Sequence, residues 1–296
     1  MNQKIQQRLL FSILAILPLL IVNHPSSSQQ DKGMNSASQT KDFLLDETPK
    51  LLSEKALRSR AREITVKVFE GDSWGSGILI HREGNLYTVL TNAHVIFSEL
   101  DHPTYKIETP DGNVYLATLR EDIAFPKQED LALLNFRSSE SYYQTAVFGD
   151  SSQLQPEEVI IATGFPFPTN SIEDSGFKLT KGEVWMLLDR ALQEGYQLGY
   201  SGQIEKGMSG GPILNTKGEV IGINGIHAYP LWDRAYIYLE GGEPNLALQQ
   251  KMDRYNWGIP AHTITQLLPE LVVVSSADSG WEERSEINSE FSTENE

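Results

Sequence analysis

Residues 207–214 read GMSGGPIL, one serine among three glycines with a proline behind it. A serine hydroxyl is a weak nucleophile until a neighbouring base takes its proton, and that base needs a third group to orient it. Glycines beside the serine let the backbone turn sharply and keep side chains out of its way. The same eight letters also fit an inert glycine-rich turn. The rest of the chain must therefore supply a base and an acid in a workable order.

Two chain orders suit such a serine. The pattern G-x-S-x-G marks a nucleophile elbow between a strand and a helix, with the acid and the histidine following the serine. His227, His262, Asp233 and Asp253 do lie downstream. However, Gly210-Gly211-Pro212 leads into ILN, a strand followed by a turn, and too little chain remains for a βαβ sheet. The other order is His, Asp, Ser. His94 ends the apolar run YTVLTNAHVI, while His24 falls in the N-terminal segment and His81 and His102 sit among polar residues. The acid candidate is Asp130 in KQEDLALLNF, just before an apolar strand where a carboxylate can be held partly buried against an imidazole. Asp122 in EDIAF is the rival, in a run that Pro126 cuts short.

These residues need a scaffold, and the hydrophobic pattern describes one. From Ile64 the chain breaks into short β-type runs, among them ITVKVFE, GSGILI, TYKIET, NVYLATL, EVIIATG, GEVWML, YQLGYS and EVIGINGI. Pro110-Asp111-Gly112-Asn113 and Asn215-Thr216-Lys217-Gly218 have hairpin-turn composition. About a dozen short strands with few helical segments predict an all-β fold. A break near residues 149–152 divides them into two similar sets, so two small antiparallel barrels are expected, about 64–148 and about 156–245. Leu51, Leu52, Ala56 and Leu57 have helical spacing and predict a lead-in helix over 49–63. PAHTITQLLPEL predicts a C-terminal helix with Thr263 as its cap.

Composition narrows the function. The chain has 296 residues, a net charge of −16 and no cysteine. That acidity argues against a nucleic-acid partner, and the missing cysteines exclude disulfides and a thiol nucleophile. The residues from 269 to the end hold eight carboxylates against Arg284 alone and read as an acidic, disordered tail. At the other end, Lys4 and Arg8 precede the apolar run of residues 9–22. It is short for a membrane span and suits a secretory segment cleaved after Ser28, with an uncleaved anchor as the alternative. The chain is thus expected to be exported, to the periplasm or beyond the cell, and to meet a membrane only through that segment. Residues 29–48 read as a polar linker and 49–268 as the folded domain. Trp74, Tyr142, Tyr143, Trp185 and Trp232 read as packing residues. No His and carboxylate spacing gives a metal site, and no cofactor is expected.

The runs GSGILI, LTNAHVI, EDLALLNF, VFGDSSQLQPEEVIIATGFPF and GMSGGPILNTKGEVIGING together resemble trypsin-like serine peptidases of the chymotrypsin fold, in particular their bacterial high-temperature-requirement branch. The resemblance covers roughly residues 64–225. It implies two six-stranded barrels with short flanking helices and a site in the cleft between them. By position it makes Ser209 the nucleophile, His94 the general base and Asp130 the group that orients it. It likewise gives the backbone N–H groups of Gly207 and Ser209 the role of oxyanion donors, and polypeptides the role of substrate.

Departures from the pattern carry information too. Met208 stands where pancreatic relatives have an acid that binds a freed N-terminal amine, so that activation route is not expected. No strand-rich module follows residue 225, which implies a protease domain without the PDZ domain common in this branch. Gln203 replaces the carboxylate that selects Lys or Arg, so small or apolar residues are expected before the cleaved bond. Tyr200, Asn224 and Gly225 are expected to line that pocket with it, His227 lies just beyond, and backbone around residues 223–226 to pair with substrate. The insertion at 227–245 is expected either to cover the cleft or to decorate the second barrel. A protein-binding module with the same fold and a silent site is the alternative reading.

Overall fold

The computed structural model describes residues 51–97, 103–123, 125, 129–168, 176–228 and 236–275. The N-terminal apolar segment, the linker, Trp232 and residues 276–296 lie outside them.

Helix α1 (Glu54–Ile64) opens the folded part, with the Ser53 hydroxyl accepting from Ala56 N–H as its N-cap. Leu57, Ala61 and Ile64 recur on one face and are the residues it buries. The predicted start at residue 49 is corrected by that cap. Strands β1 (Thr65–Glu70), β2 (Ser73–Glu83), β3 (Leu86–Thr91), β4 (Tyr105–Glu108), β5 (Val114–Leu119) and β6 (Ala132–Arg137) follow. They close into an antiparallel barrel in the order β1-β2-β3-β6-β5-β4. The Pro110–Asn113 turn joins β4 to β5, as its composition predicts.

Strand β7 (Val147–Phe148) leads out of this barrel to β8 (Val159–Gly164), β9 (Lys178–Leu187), β10 (Leu198–Tyr200), β11 (Pro212–Leu214) and β12 (Val220–Ile226). Helix α2 (Leu246–Met252), β13 (Asn256–Pro260), helix α3 (Ala261–Leu267) and β14 (Val273–Val274) complete the order. Strands β11-β8-β9-β10-β13-β12 form the second ring, closed by the pairing of β11 with β12; β7 runs parallel beside β12, and β14 parallel beside β7. Two six-stranded antiparallel barrels with few short helices are therefore the architecture.

Period-two alternation decides which core each strand feeds. On β2, Leu79 points into the first barrel with Val66, Val89, Ile107 and Leu134, while Ile78 and Ile80 point at the second barrel. There they meet Leu90, Phe148, Ile223, Trp257 and Ile259 in a cluster shared by both barrels. The site residues sit on this shared seam.

Three expectations at the C-terminal end are corrected. NWGIP is the closing strand β13, so the second barrel extends past residue 245 to Pro260. The chain also returns to the sheet after α3: β14 pairs with β7, so the tail does not begin at 269. Thr263 does not cap α3. Its cap position is Pro260, and the buried Ser151 hydroxyl, from the linker between the barrels, accepts from His262 N–H at 2.8 Å instead.

The same hydroxyl is also hydrogen-bonded to His262 Nδ1, at 2.9 Å. Burial lowers the pKa of His262 below its usual value near 6.5, with nearby Asp150 opposing the shift. A depressed histidine leaves the folded state binding fewer protons than the unfolded one. Its contribution is then complete above about pH 6.5 and declines as pH falls below it. The wild-type melting temperature is expected to drop more steeply between pH 7 and pH 5 than that of His262→Gln; equal slopes would refute this.

Candidate active site

His94 sits in the single turn Ala93–Val95 that ends β3. Its backbone N–H donates to Asp130 Oδ1 at 2.8 Å, and its ring Nδ1 lies 2.6 Å from Asp130 Oδ2. An ionised carboxylate only accepts, so Nδ1 carries a proton, and in the neutral imidazole Nε2 then holds the lone pair. The His94 side chain is 49% exposed, whereas that of Asp130 is 6% exposed. Imidazole therefore meets solvent while the carboxylate is shut in.

Asp130 is anchored on every polar atom. Asn92 Nδ2 donates to its carbonyl at 2.8 Å, its own N–H donates to Glu194 O at 2.9 Å, and the Tyr196 hydroxyl donates to Oδ2. Asp122, the rival acid, instead pairs with Arg120 at the surface. Of the two acids, only Asp130 contacts His94.

The Gly207–Gly211 loop lies against β2 and β8. Ser209 O accepts from Ser76 N–H at 2.8 Å, and the Ser76 hydroxyl donates to Gly207 O at 2.8 Å while accepting from Phe165 N–H. Gly207 has φ +96°, and a Cβ there would come 2.5 Å from Phe165 O. Gly210 has φ +85°, and its Cβ would come 2.1 Å from Ser76 O. No side chain fits at either position, so the glycines are steric requirements.

Peptide planarity then fixes where two N–H groups point. Lys206 O accepts from Phe167 N–H, and Met208 O accepts from Gly211 N–H, both within the barrel wall. In a trans peptide the N–H is opposed to its C=O. The N–H groups of Gly207 and Ser209 consequently face away from that wall.

Two short routes connect Ser209 to the His94–Asp130 pair. A Cβ built on Gly75 would lie 2.6 Å from Val95, the neighbour of His94, and 3.2 Å from Ser209 O. On the other side, Ser209 Oγ donates to Gly225 O at 3.1 Å, Gly225 packs on the Tyr196 ring, and Tyr196 reaches Asp130. Both routes pass through intervening residues, and the hydrogen bond of Ser209 Oγ goes to Gly225 O rather than to His94.

The specificity residues divide differently. Gln203 is exposed beside Thr180, and Gly225 lies next to Ser209 Oγ. Tyr200 and Asn224 are fully buried and bonded to each other at 2.8 Å. Asn224 Nδ2 also donates to Thr163 O and Met208 O. Burial pushes the Tyr200 hydroxyl far above the usual tyrosine range. Both brace the wall behind the serine loop, which corrects their expected place in a pocket lining. Sequence reasoning missed Ser76, Asn92 and Tyr196, whose roles depend on partners 38 to 131 residues away.

A pair of six-stranded barrels with a GxSGG loop on their shared seam defines the trypsin-like class. Residues 75–223 match the model of the trypsin-like peptidase domain, and the chain belongs to that family. Similar proteins include the probable periplasmic serine endoprotease DegP-like of Brucella suis, 28% identical over 215 residues, covering 70% of this chain and 34% of that protein. Human serine protease HTRA3 is 30% identical over 165 residues, covering 51% of this chain and 33% of its own length. The serine protease Do-like HtrA of Bacillus subtilis is 28% identical over 203 residues, covering 64% and 42%. The chain thus spans about a third to two fifths of the curated relatives it matches.

Proposed function

We propose that this protein is a serine endopeptidase in which Ser209 attacks the scissile carbonyl and His94 Nε2 accepts its proton. The observation that carries the reading is the His94–Asp130 geometry, which puts a proton on Nδ1 and leaves Nε2 as a base. Asp130 stabilises the imidazolium that forms, and His94 then passes the proton to the leaving amine. The acyl-enzyme is hydrolysed by the same steps with water as nucleophile.

The developing oxyanion would be met by the N–H groups of Gly207 and Ser209, whose carbonyl partners are anchored on the opposite side. Gly207→Ala would force a Cβ against Phe165 O and rotate that peptide. It is expected to lower kcat about 100- to 1,000-fold, as loss of one such donor does elsewhere, with substrate binding little changed. Steady-state kinetics on peptides would show it, and a loss confined to KM would contradict it.

Gln203 is neutral and offers no charge partner to a basic side chain, so peptides with small apolar residues before the cleaved bond are the substrates of choice. Asn224 N–H and C=O are occupied by Gly211 and Gly210, so an added substrate strand would pair beyond residue 224. The apolar segment at 9–22 and the periplasmic naming of the Brucella relative support export of this chain. Its folded unit would run from α1 to β14.

One observation favours a second reading, a silent binding module: Ser209 Oγ donates to Gly225 O, a bond that must be exchanged for His94 Nε2 before attack. A neutral hydrogen bond is worth about 1 kcal/mol, small against the rotation it opposes. Treatment with a fluorophosphonate probe and mapping of the modified peptide separates the two. Labelling at Ser209 that is lost in His94→Ala supports the peptidase; folded protein left unlabelled establishes the binding module.

A further inference from the structure

Tyr196 is 2% exposed and lies in the second barrel, 66 residues from Asp130 in sequence, yet its hydroxyl donates to the Asp130 oxygen that faces His94. The room for its ring comes from residue 225. A Cβ on Gly225 would stand 2.1 Å from Tyr196 Cε1 and 2.8 Å from its hydroxyl oxygen. Any side chain at 225 would occupy the space that Tyr196 fills. The turn Gln193–Gly195 that precedes Tyr196 holds Asp130 a second time, through Asp130 N–H to Glu194 O at 2.9 Å. That grip is made with Glu194 at φ +64°, a left-handed conformation that a non-glycine residue keeps only where its surroundings impose it.

We infer that Tyr196 is a positioning residue for the active site: its hydroxyl, admitted by the missing side chain of Gly225, locks the Asp130 carboxylate in the rotamer that orients His94. The inference rests on the peptidase reading above. Without the hydroxyl, Oδ2 keeps His94 as its partner but loses the restraint from the second barrel. The carboxylate plane can then twist, and the imidazole with it. Ground-state contacts with substrate are untouched, so the loss falls on kcat.

The test uses fluorophosphonate labelling rate, peptide kinetics and melting temperature on the full chain. A hydrogen bond to a charged group sets the scale, so Tyr196→Phe is expected to slow labelling and lower kcat roughly 10- to 100-fold. KM should stay within about twofold and the fold should be intact. A second pair of variants controls for packing. Tyr196→Ala removes the ring, and adding Gly225→Ser to it places a hydroxyl one bond beyond the Cβ that lies beside the old tyrosine oxygen. That double variant is expected to label at least about tenfold faster than Tyr196→Ala alone, restoring a donor to Asp130. Wild-type labelling with Tyr196→Phe equal to it would overturn the role of Tyr196 alone, as would a double variant no faster than Tyr196→Ala. Folded wild-type protein that resists the probe would overturn the peptidase reading and this one with it.

Discussion

Ser209→Ala is expected to lower peptide turnover by about 10⁶-fold while leaving the fold intact. The substitution removes one oxygen whose hydrogen bond is to Gly225 O, at a half-buried position on the seam. A lost bond of that kind costs about 1 kcal/mol of stability, so the melting temperature should move by only a few degrees. The rate effect is far larger because the Ser76 hydroxyl, which supports the loop, cannot take that place: it is buried and committed to Gly207 O. A residual acceleration of about 10³- to 10⁴-fold over water should survive through the backbone donors. His94→Ala should cost about as much, and the double variant little more, because the two act in one step. Turnover of Ser209→Ala within tenfold of wild type would place the nucleophile elsewhere.

The residues of this site differ in how far sequence could reveal them, and the reason is distance along the chain. Ser209 announces itself because the glycines stand beside it in the chain, and two of them hold the left-handed backbone of its turn, at φ +96° and +85°. His94 and Asp130 are legible because each borders an apolar strand, and their order matches one known chemistry. Tyr196 and Gly225 leave no local trace. A tyrosine near a strand start and a glycine in EVIGINGI are ordinary, and only the closing of β12 against β13 and β10 makes one the mould of the other.

Tyr200 and Asn224 show the opposite failure. Distance from Ser209 along the chain gives a residue's place on a strand, but not the face its side chain takes; both turn inward, where a hydroxyl and an amide satisfy each other. The second barrel's extent was hidden for a similar reason. Five residues, NWGIP, are too few to show period-two alternation, and all five are buried, as suits the strand that closes a ring between two neighbours. Ser151 could not be read as a helix cap because it lies 111 residues before the N–H it serves.

Asp130→Asn is expected to lower kcat by about 10⁴-fold, and the hydrogen bonds around residue 130 explain why so small a change is so costly. Asp130 Oδ1 accepts the backbone N–H of His94, so an asparagine must put its carbonyl oxygen there. Its NH₂ then takes the place of Oδ2, facing both His94 Nδ1 and the Tyr196 hydroxyl. The Tyr196 hydroxyl turns from donor to acceptor, and His94 Nδ1 must become an acceptor as well. The imidazole proton moves to Nε2, the nitrogen that has to receive the proton of Ser209, and the base is lost although every atom is in place. Volume and packing are nearly unchanged, so the melting temperature should stay close to that of wild type and Ser209 should remain accessible. Kinetics alongside a thermal melt would show the separation. A fall of less than tenfold would mean that His94 does not depend on Asp130 for its tautomer, whereas a fall accompanied by unfolding would assign Asp130 to the structure of the seam.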